Sequence, residues 1–394
     1  MDPTTPNPLR SRLVTAAVAA LGAACLIGAA MADRAWFEHH FLPELLHPRA
    51  GQLRALAIVR AIAAALGLAL LLAALPAGRA VRTRPLRRLA LAAAPTLVAV
   101  VAAVVVAELV LDSMTWRAHE QSPPMYEPLR TWDTTFGWRQ VASHTGYGVT
   151  GGRRLQYAFD VHGYRVRSQD QPVDLDRPTI VFAGESVVQG HGLTYDESAP
   201  AQVAAMTGVQ TANVAVGGYA TDQIYLLLKS ELPKFRRPVA VVVLFMPSLF
   251  HRNMDTDRPH LTPGLVWTPV PRQPRLIELA RRLVPYRSDA DIAAGVTATQ
   301  DELRGVVALA RARGAVPLII VPQLGPETNE ERAIRRRVLD AAGLPYVLAP
   351  LDAAWVLPHN RHPDAHGAAV IARAVSAYLQ AHGVGSDPPR GPKA

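Results

Sequence analysis

The sequence predicts an α/β protein in two parts: three N-terminal transmembrane helices and, after them, a domain built on a parallel sheet. Two observations carry this. Apolar stretches recur at about Leu13–Ala32, Leu56–Leu75 and Leu89–Leu111, each close to the roughly 20 residues that cross a hydrocarbon core as a helix. Beyond about Arg177, short continuous apolar runs alternate with helix-period segments, as parallel strands covered by helices on both faces do.

The three spans read as membrane helices because Ala, Leu and Val cover all their faces and leave no polar stripe. A cleavable signal peptide would account for the first stretch but not the next two, and no small-residue cleavage site precedes a polar start. Arginine sets the orientation. Arg10 and Arg12 precede the first span, and Arg79, Arg82, Arg84, Arg87 and Arg88 crowd the link between the second and third. The link between the first and second instead mixes Asp33, Glu38, Glu44 and several histidines with Arg34, Arg49 and Arg54. The positive-inside rule then puts the N-terminus and second loop in the cytoplasm. Everything after about Asp112 falls outside, so the expected location is a bacterial inner (plasma) membrane with a periplasmic or extracellular domain. Arg60, inside the second span, is expected to snorkel or pair within the bundle.

Composition narrows the rest. The chain has 394 residues, 49% of them apolar, more than one domain usually holds. Its net charge of +9 comes almost wholly from arginines spread along the chain, with lysine only at 229, 234 and 393, so no nucleic-acid partner is expected. Cys25 is the single cysteine, which excludes an intramolecular disulfide. Lipidation there is not expected, because Gly22 occupies the place of a large aliphatic residue and the apolar run continues.

Four regions are predicted: a membrane anchor over 1–112, an irregular strand-and-turn lead-in over 113–177, the α/β domain over 178–382, and a disordered Pro- and Gly-rich tail over 383–394. Within the lead-in, Leu155–Phe159 and Tyr164–Val166 alternate like strands. In the domain, strands are predicted at Thr179–Ala183, Thr211–Val216, Val239–Phe245, Val316–Val321 and Tyr346–Leu348. Helices are predicted at Ser198–Met206, Thr221–Leu232, Gln300–Ala312, Asn329–Ala342 and His366–Ala381. Active residues should lie at the carboxyl ends of the strands.

Three segments carry chemistry. In the run Thr179–Gly190, Ser186 directly follows a buried strand between Gly184 and Gly190, a turn that can expose a hydroxyl beside backbone N–H groups able to receive an oxyanion. Asn213–Gln223 follows the next strand and opens a helix, so Gly218 can bring a backbone donor to the same rim, with Thr221 or Asp222 as a helix cap. Near the C-terminus, His359-Asn360-Arg361-His362-Pro363-Asp364-Ala365-His366-Gly367 precedes an amphipathic helix, and His362 can reach the strand ends as a general base. No phosphate-binding loop is present. The spacing of His359, His362 and His366 suits the base better than a metal, and no cofactor is expected.

Together these segments resemble the SGNH (GDSL-type) serine hydrolases over about Arg177–His382. The family's Gly-Asp-Ser block, followed by xxxGly, is similar to Gly184-Glu185-Ser186 and Gly190, with Glu for Asp. The second-block glycine matches Gly218, and the last-block histidine matches His362. The stretch Gly218–Gln223 and the later His251-Arg252-Asn253 resemble a membrane-linked bacterial branch. The resemblance implies a flavodoxin-like parallel sheet, a Ser186 nucleophile, a His362 base, and an oxyanion hole from the Ser186 and Gly218 N–H groups. Two positions depart from it. Where the family ends a strand with GxND this chain has Met246-Pro247-Ser248-Leu249, which leaves Ser248 as the side-chain donor. Where the family has the aspartate that orients the histidine, this chain has His359 and Asn360.

The resemblance therefore implies a membrane-anchored extracytoplasmic serine esterase whose partner is an acylated carbohydrate or other ester, such as an O-acetylated cell-envelope glycan. Acyl transfer as the partner of an O-acyltransferase in polysaccharide acetylation, and a catalytically weakened glycan-binding scaffold, are the alternatives. The insertion Arg252–Ala294 matches no motif.

Overall fold

The computed structural model describes residues 8–46, 49–82, 86–120 and 129–385. The chain divides into a helical unit and a sheet unit.

The helical unit contains α1 (Pro8–Met31), α2 (Arg49–Arg82) and α3 (Leu86–Glu120), three helices long and apolar enough to cross a membrane. Small residues let α1 and α2 meet: a Cβ on Gly22 would stand 2.8 Å from the Gly67 carbonyl oxygen, and one on Gly67 equally close to that of Gly22. Arg60 Nε donates to the Ala29 carbonyl at 2.8 Å, so it pairs within the bundle. Of the arginine-rich link, residues 83–85, with Thr83 and Arg84, lie outside the described residues. Two boundaries differ from expectation. α3 continues past Ser113 to Glu120, and part of the insertion, Gln273–Tyr286, belongs to this unit. Glu108 explains the second: its carboxylate accepts the Arg275 N–H at 2.5 Å and the Leu276 N–H at 2.9 Å, capping the helix Arg275–Leu283.

The sheet unit holds eight strands: β1 (His144–Thr150), β2 (Arg153–Phe159), β3 (Arg165–Val166), β4 (Pro178–Ala183), β5 (Gln210–Asn213), β6 (Arg237–Leu244), β7 (Val316–Leu324) and β8 (Tyr346–Leu351). Their order is β8-β7-β6-β4-β5-β3-β2-β1. The five strands β4 to β8 are mutually parallel and, counted in chain order, run 2-1-3-4-5, the flavodoxin-like arrangement. Both faces are buried, which is why the strands read as continuous apolar runs. Val181, Val241, Val243 and Ile319 pack with Ile224 and Leu228 of α5 (Thr221–Glu231) and Leu303 of α6 (Asp289–Ala312). Ile180, Phe182, Val242 and Ile320 pack with Val203 of α4 (Ala199–Thr207) and Ile371 and Val375 of α7 (Ala365–Ala381). β8 forms one edge and carries Pro350 opposite Gln323 of β7. The order reverses between β4 and β6, so the crevice at their carboxyl ends is where a ligand belongs.

The lead-in is not a separate irregular region. β1 to β3 extend the sheet antiparallel from β5, preceded by a hairpin of Arg130–Asp133 and Gly137–Gln140, while residues 121–128 lie outside the described set. α6 starts well before Gln300, because Ser288 and Asp291 form a capping box. The predicted helix Asn329–Ala342 is an α-helix over Asn329–Arg335 that tightens no further but widens into a π turn at Arg336–Asp340. In the tail, Gly383–Gly385 are ordered in turns with Val384 buried, and 386–394 lie outside the described residues.

β3 contributes one side chain that composition would place at the surface. Arg165 is 2% exposed, donates from Nη1 to the Gln189 and Gly190 carbonyls and from Nη2 to the Leu193 carbonyl at 2.6 Å, and stands 4.6 Å over the Tyr157 ring. Burial pushes its guanidinium down to about 10, still charged at neutral pH. Arg165→Met would keep the volume and leave three carbonyls without their donor. At about 1–3 kcal/mol for each unsatisfied group, thermal or denaturant unfolding of the full chain should show a loss of about 3 kcal/mol or more. A loss below about 1 kcal/mol would mean that water replaces the guanidinium.

Candidate active site

Ser186 opens a single helical turn, Ser186–Gln189, directly after β4. The turn is tight because Gly184 has no side chain: a Cβ there would stand 2.7 Å from Val188 Cγ2. Glu185 caps it, its Oε1 accepting the Val187 N–H at 2.9 Å. Gly190 closes it at φ +80°, with its N–H on the Ser186 carbonyl at 3.0 Å, and a Cβ at Gly190 would stand 2.5 Å from Arg165 Nη1. As the first residue of a helical turn, Ser186 has an N–H without an intrahelical acceptor.

His362 lies in the loop before α7, whose N-cap Asp364 accepts the Gly367 N–H at 2.9 Å. The Leu357 N–H donates to the His362 carbonyl at 3.0 Å, and a bridge between Val356 and Pro363 holds the loop. His362 Nε2 is 2.6 Å from Ser186 Oγ. On the other side of the ring, Nδ1 bonds to Asn360 Oδ1, which also accepts the His362 backbone N–H at 3.0 Å. That second bond fixes which way the amide faces, since only its oxygen can accept from a backbone N–H. Nδ1 therefore carries the hydrogen, and Nε2 keeps the lone pair that a base needs. Of the two residues expected near the ring, Asn360 makes this contact; His359 sits at φ +55° in the preceding turn.

The second segment runs alongside the serine. The Val216 N–H donates to the Gly184 carbonyl at 3.1 Å, and a Cβ on Gly217 would lie 3.8 Å from Ser186 Cβ. The Gly217 carbonyl accepts from Arg130 Nη1 and Trp138 Nε1, each at 3.0 Å. Because a trans peptide points its N–H opposite its C=O, the Gly218 N–H faces away from those donors. Gly218 has φ +87°, open to glycine, and a Cβ there would approach Trp138 Cζ2 to 3.2 Å. Ser248 is buried in the 3₁₀ turn Pro247–Met254 beyond β6, where its carbonyl accepts the Leu45 N–H at 3.1 Å. Among the described residues no hydrogen bond links Ser248 to Ser186, Gly218 or His362. Thr221 and Asp222 are structural: the Thr221 N–H donates to Asn253 at 2.9 Å, and Asp222 accepts from His260 at 2.6 Å and from the Leu261 N–H at 3.1 Å.

The site's electrostatics favour a neutral base. Burial pushes His362 down to about 4; Glu185 opposes the shift, while His191 and Arg252 add to it. The His191 ring, itself lowered by burial, lies 4.6 Å from that of His362. Glu185 and Arg252 lie in the segments that carry the resemblance, which gives them no role at the site: Glu185 Oε2 bonds Ser186 Oγ, and Arg252 Nη1 lies 3.4 Å from the same oxygen. The Glu185 substitution in the first block was the available signal.

No protein-family model and no curated protein matches the chain. Solved structures similar to it include an acetyl xylan esterase from Butyrivibrio proteoclasticus, at 13% identity over 55% of this chain and 67% of that one, with a TM-score of 0.36. A protein of the lipolytic G-D-S-L family from Desulfitobacterium hafniense is 13% identical over 51% of this chain and 99% of its own, with a TM-score of 0.34. A carbohydrate acetylesterase family member from Sinorhizobium meliloti is 13% identical over 52% and 98%, with a TM-score of 0.31. At such identities no residue's role passes from those proteins to this one, and the roles that follow come from its own side chains.

Proposed function

We propose that the chain is a membrane-anchored serine esterase whose catalytic domain lies outside the cytoplasm, and that its substrate is an O-acylated carbohydrate of the cell envelope. The observation that carries this is the chain of contacts from Asn360 through His362 to Ser186 at the strand ends where the sheet order reverses. His362 Nε2 takes the Oγ proton as Oγ bonds to the ester carbonyl carbon, and the carbonyl electron pair moves onto oxygen, facing the Ser186 and Gly218 N–H groups. The imidazolium then gives its proton to the leaving alkoxide oxygen as the C–O bond breaks. Water, deprotonated by the same nitrogen, releases the acid and restores the hydroxyl.

The base works only when neutral. Below its pKa it is protonated and cannot accept the proton, so kcat/KM on an activated acetyl ester should stay level from neutral pH down and fall as pH drops through about 4, not about 6.5. A limb near 6.5 would mean that the ring is solvated in the working enzyme.

The full chain in detergent should react with a fluorophosphonate at Ser186. One observation favours a second reading, a glycan-binding scaffold: Met246-Pro247-Ser248-Leu249 stands where the resemblance puts the GxND block. A folded chain that the probe leaves unlabelled would select it. Orientation is tested separately. A reporter active only outside the cytoplasm should work when fused after Asp112 and fail at about Thr83, and the reverse pattern would place the domain in the cytoplasm.

A further inference from the structure

In a serine–histidine–aspartate site the aspartate does two things: it orients the histidine and its charge stabilises the imidazolium. Asn360 can do only the first, because an amide is neutral. The needed charge has one other source close by. Glu185 is 2% exposed, and its Oε2 bonds Ser186 Oγ, the same atom that contacts His362 Nε2. Glu185 is also the strongest of the charged groups acting on His362, ahead of His191 and Arg252, and the one that favours the protonated ring. An aspartate at this position, one methylene shorter, would reach less far toward Oγ.

We propose that Glu185 is a catalytic residue whose carboxylate supplies, across the Ser186 hydroxyl, the negative charge that stabilises the His362 imidazolium, while Asn360 orients the ring. The serine hydroxyl has one proton and two acceptors, and it donates to Glu185 or to His362. When it turns to His362 and Oγ attacks, the proton goes to Nε2 and the new imidazolium shares Oγ with a carboxylate. Proton gain by His362 becomes easier. The field of the same carboxylate resists negative charge on Oγ, but that charge passes to the carbonyl oxygen as the bond forms. Arg252, 3.4 Å from Oε2, tempers the field, and the neighbouring His191 ring must stay neutral for it to act.

The proposal rests on the esterase reading, and the two can be separated in the full chain. Glu185→Gln keeps the volume and the oxygen that caps Val187, and removes the charge. It should lower kcat roughly tenfold to a hundredfold, less than the roughly 10⁴-fold loss of an orienting aspartate, because orientation is kept. It should also move the His362 titration, followed by NMR of labelled histidine, to lower pH. Adding Asn360→Asp to Glu185→Gln should restore both turnover and titration, since a carboxylate then serves the ring from its other side. A merely structural Glu185 would leave the titration where it was and gain nothing from the aspartate. An unmoved titration overturns the proposal with the esterase reading intact; a native chain that no ester or fluorophosphonate modifies overturns both.

Discussion

Ser186→Ala should abolish fluorophosphonate labelling and lower turnover of an activated acetyl ester by up to roughly 10⁶-fold, with substrate binding retained. The hydroxyl is the atom that bonds to the carbonyl, and no neighbour can replace it: Glu185 is tied to the Val187 N–H and His362 to Asn360. His362→Ala should lose nearly as much, and the double variant little more than either, because groups that act in one step are not additive. What remains over water would come from the backbone N–H groups of Ser186 and Gly218. Turnover by Ser186→Ala at even a tenth of the native rate would mean that another nucleophile works in this fold.

The second large effect belongs to Asn360. Asn360→Ala removes the acceptor from His362 Nδ1, so the ring is free to carry its hydrogen on Nε2, where it blocks proton transfer from Oγ. We expect kcat to fall roughly 10²- to 10⁴-fold with KM little changed. Asn360→Asp should keep the geometry and exceed the native rate, and its acid limb should lie above pH 4, since a carboxylate beside Nδ1 favours the protonated ring. Kinetics of both variants, with melting temperatures to show that each is folded, would check this. Native-like turnover in Asn360→Ala would show that the loop backbone alone positions the histidine.

The parallel strands were legible because burial on both faces leaves an unbroken apolar signature, as in Ile180–Ala183 and Val239–Leu244. Ser186, Gly218 and His362 were legible because each follows a strand or precedes a helix, where backbone geometry exposes a group. The rest depended on contacts distant in sequence. Arg165 reads as a surface charge, and only the carbonyls of Gln189, Gly190 and Leu193 make it a core residue. β1 to β3 carry glycines and arginines that weaken the alternation, so they read as a lead-in although they finish the sheet. Glu185 looked like a mild replacement for aspartate; its reach to Oγ needs the turn that Gly184 permits. Ser248 keeps a hydroxyl at the position in sequence where the resemblance puts a side-chain donor, inside the 3₁₀ turn after β6.

The β8 edge of the sheet bears on how such a domain stays separate from its copies at high concentration. β8 presents its outer side to whatever lies beside it, and a strand with open N–H and C=O groups is a template on which a second copy could pair and a ladder could grow. Pro350 has no N–H to offer and its ring crowds the approach, so the ladder is interrupted one residue before the strand ends. Neighbouring copies that approach β8 thus meet an edge that refuses continuation. On that side the sheet ends where crowding would otherwise favour its extension.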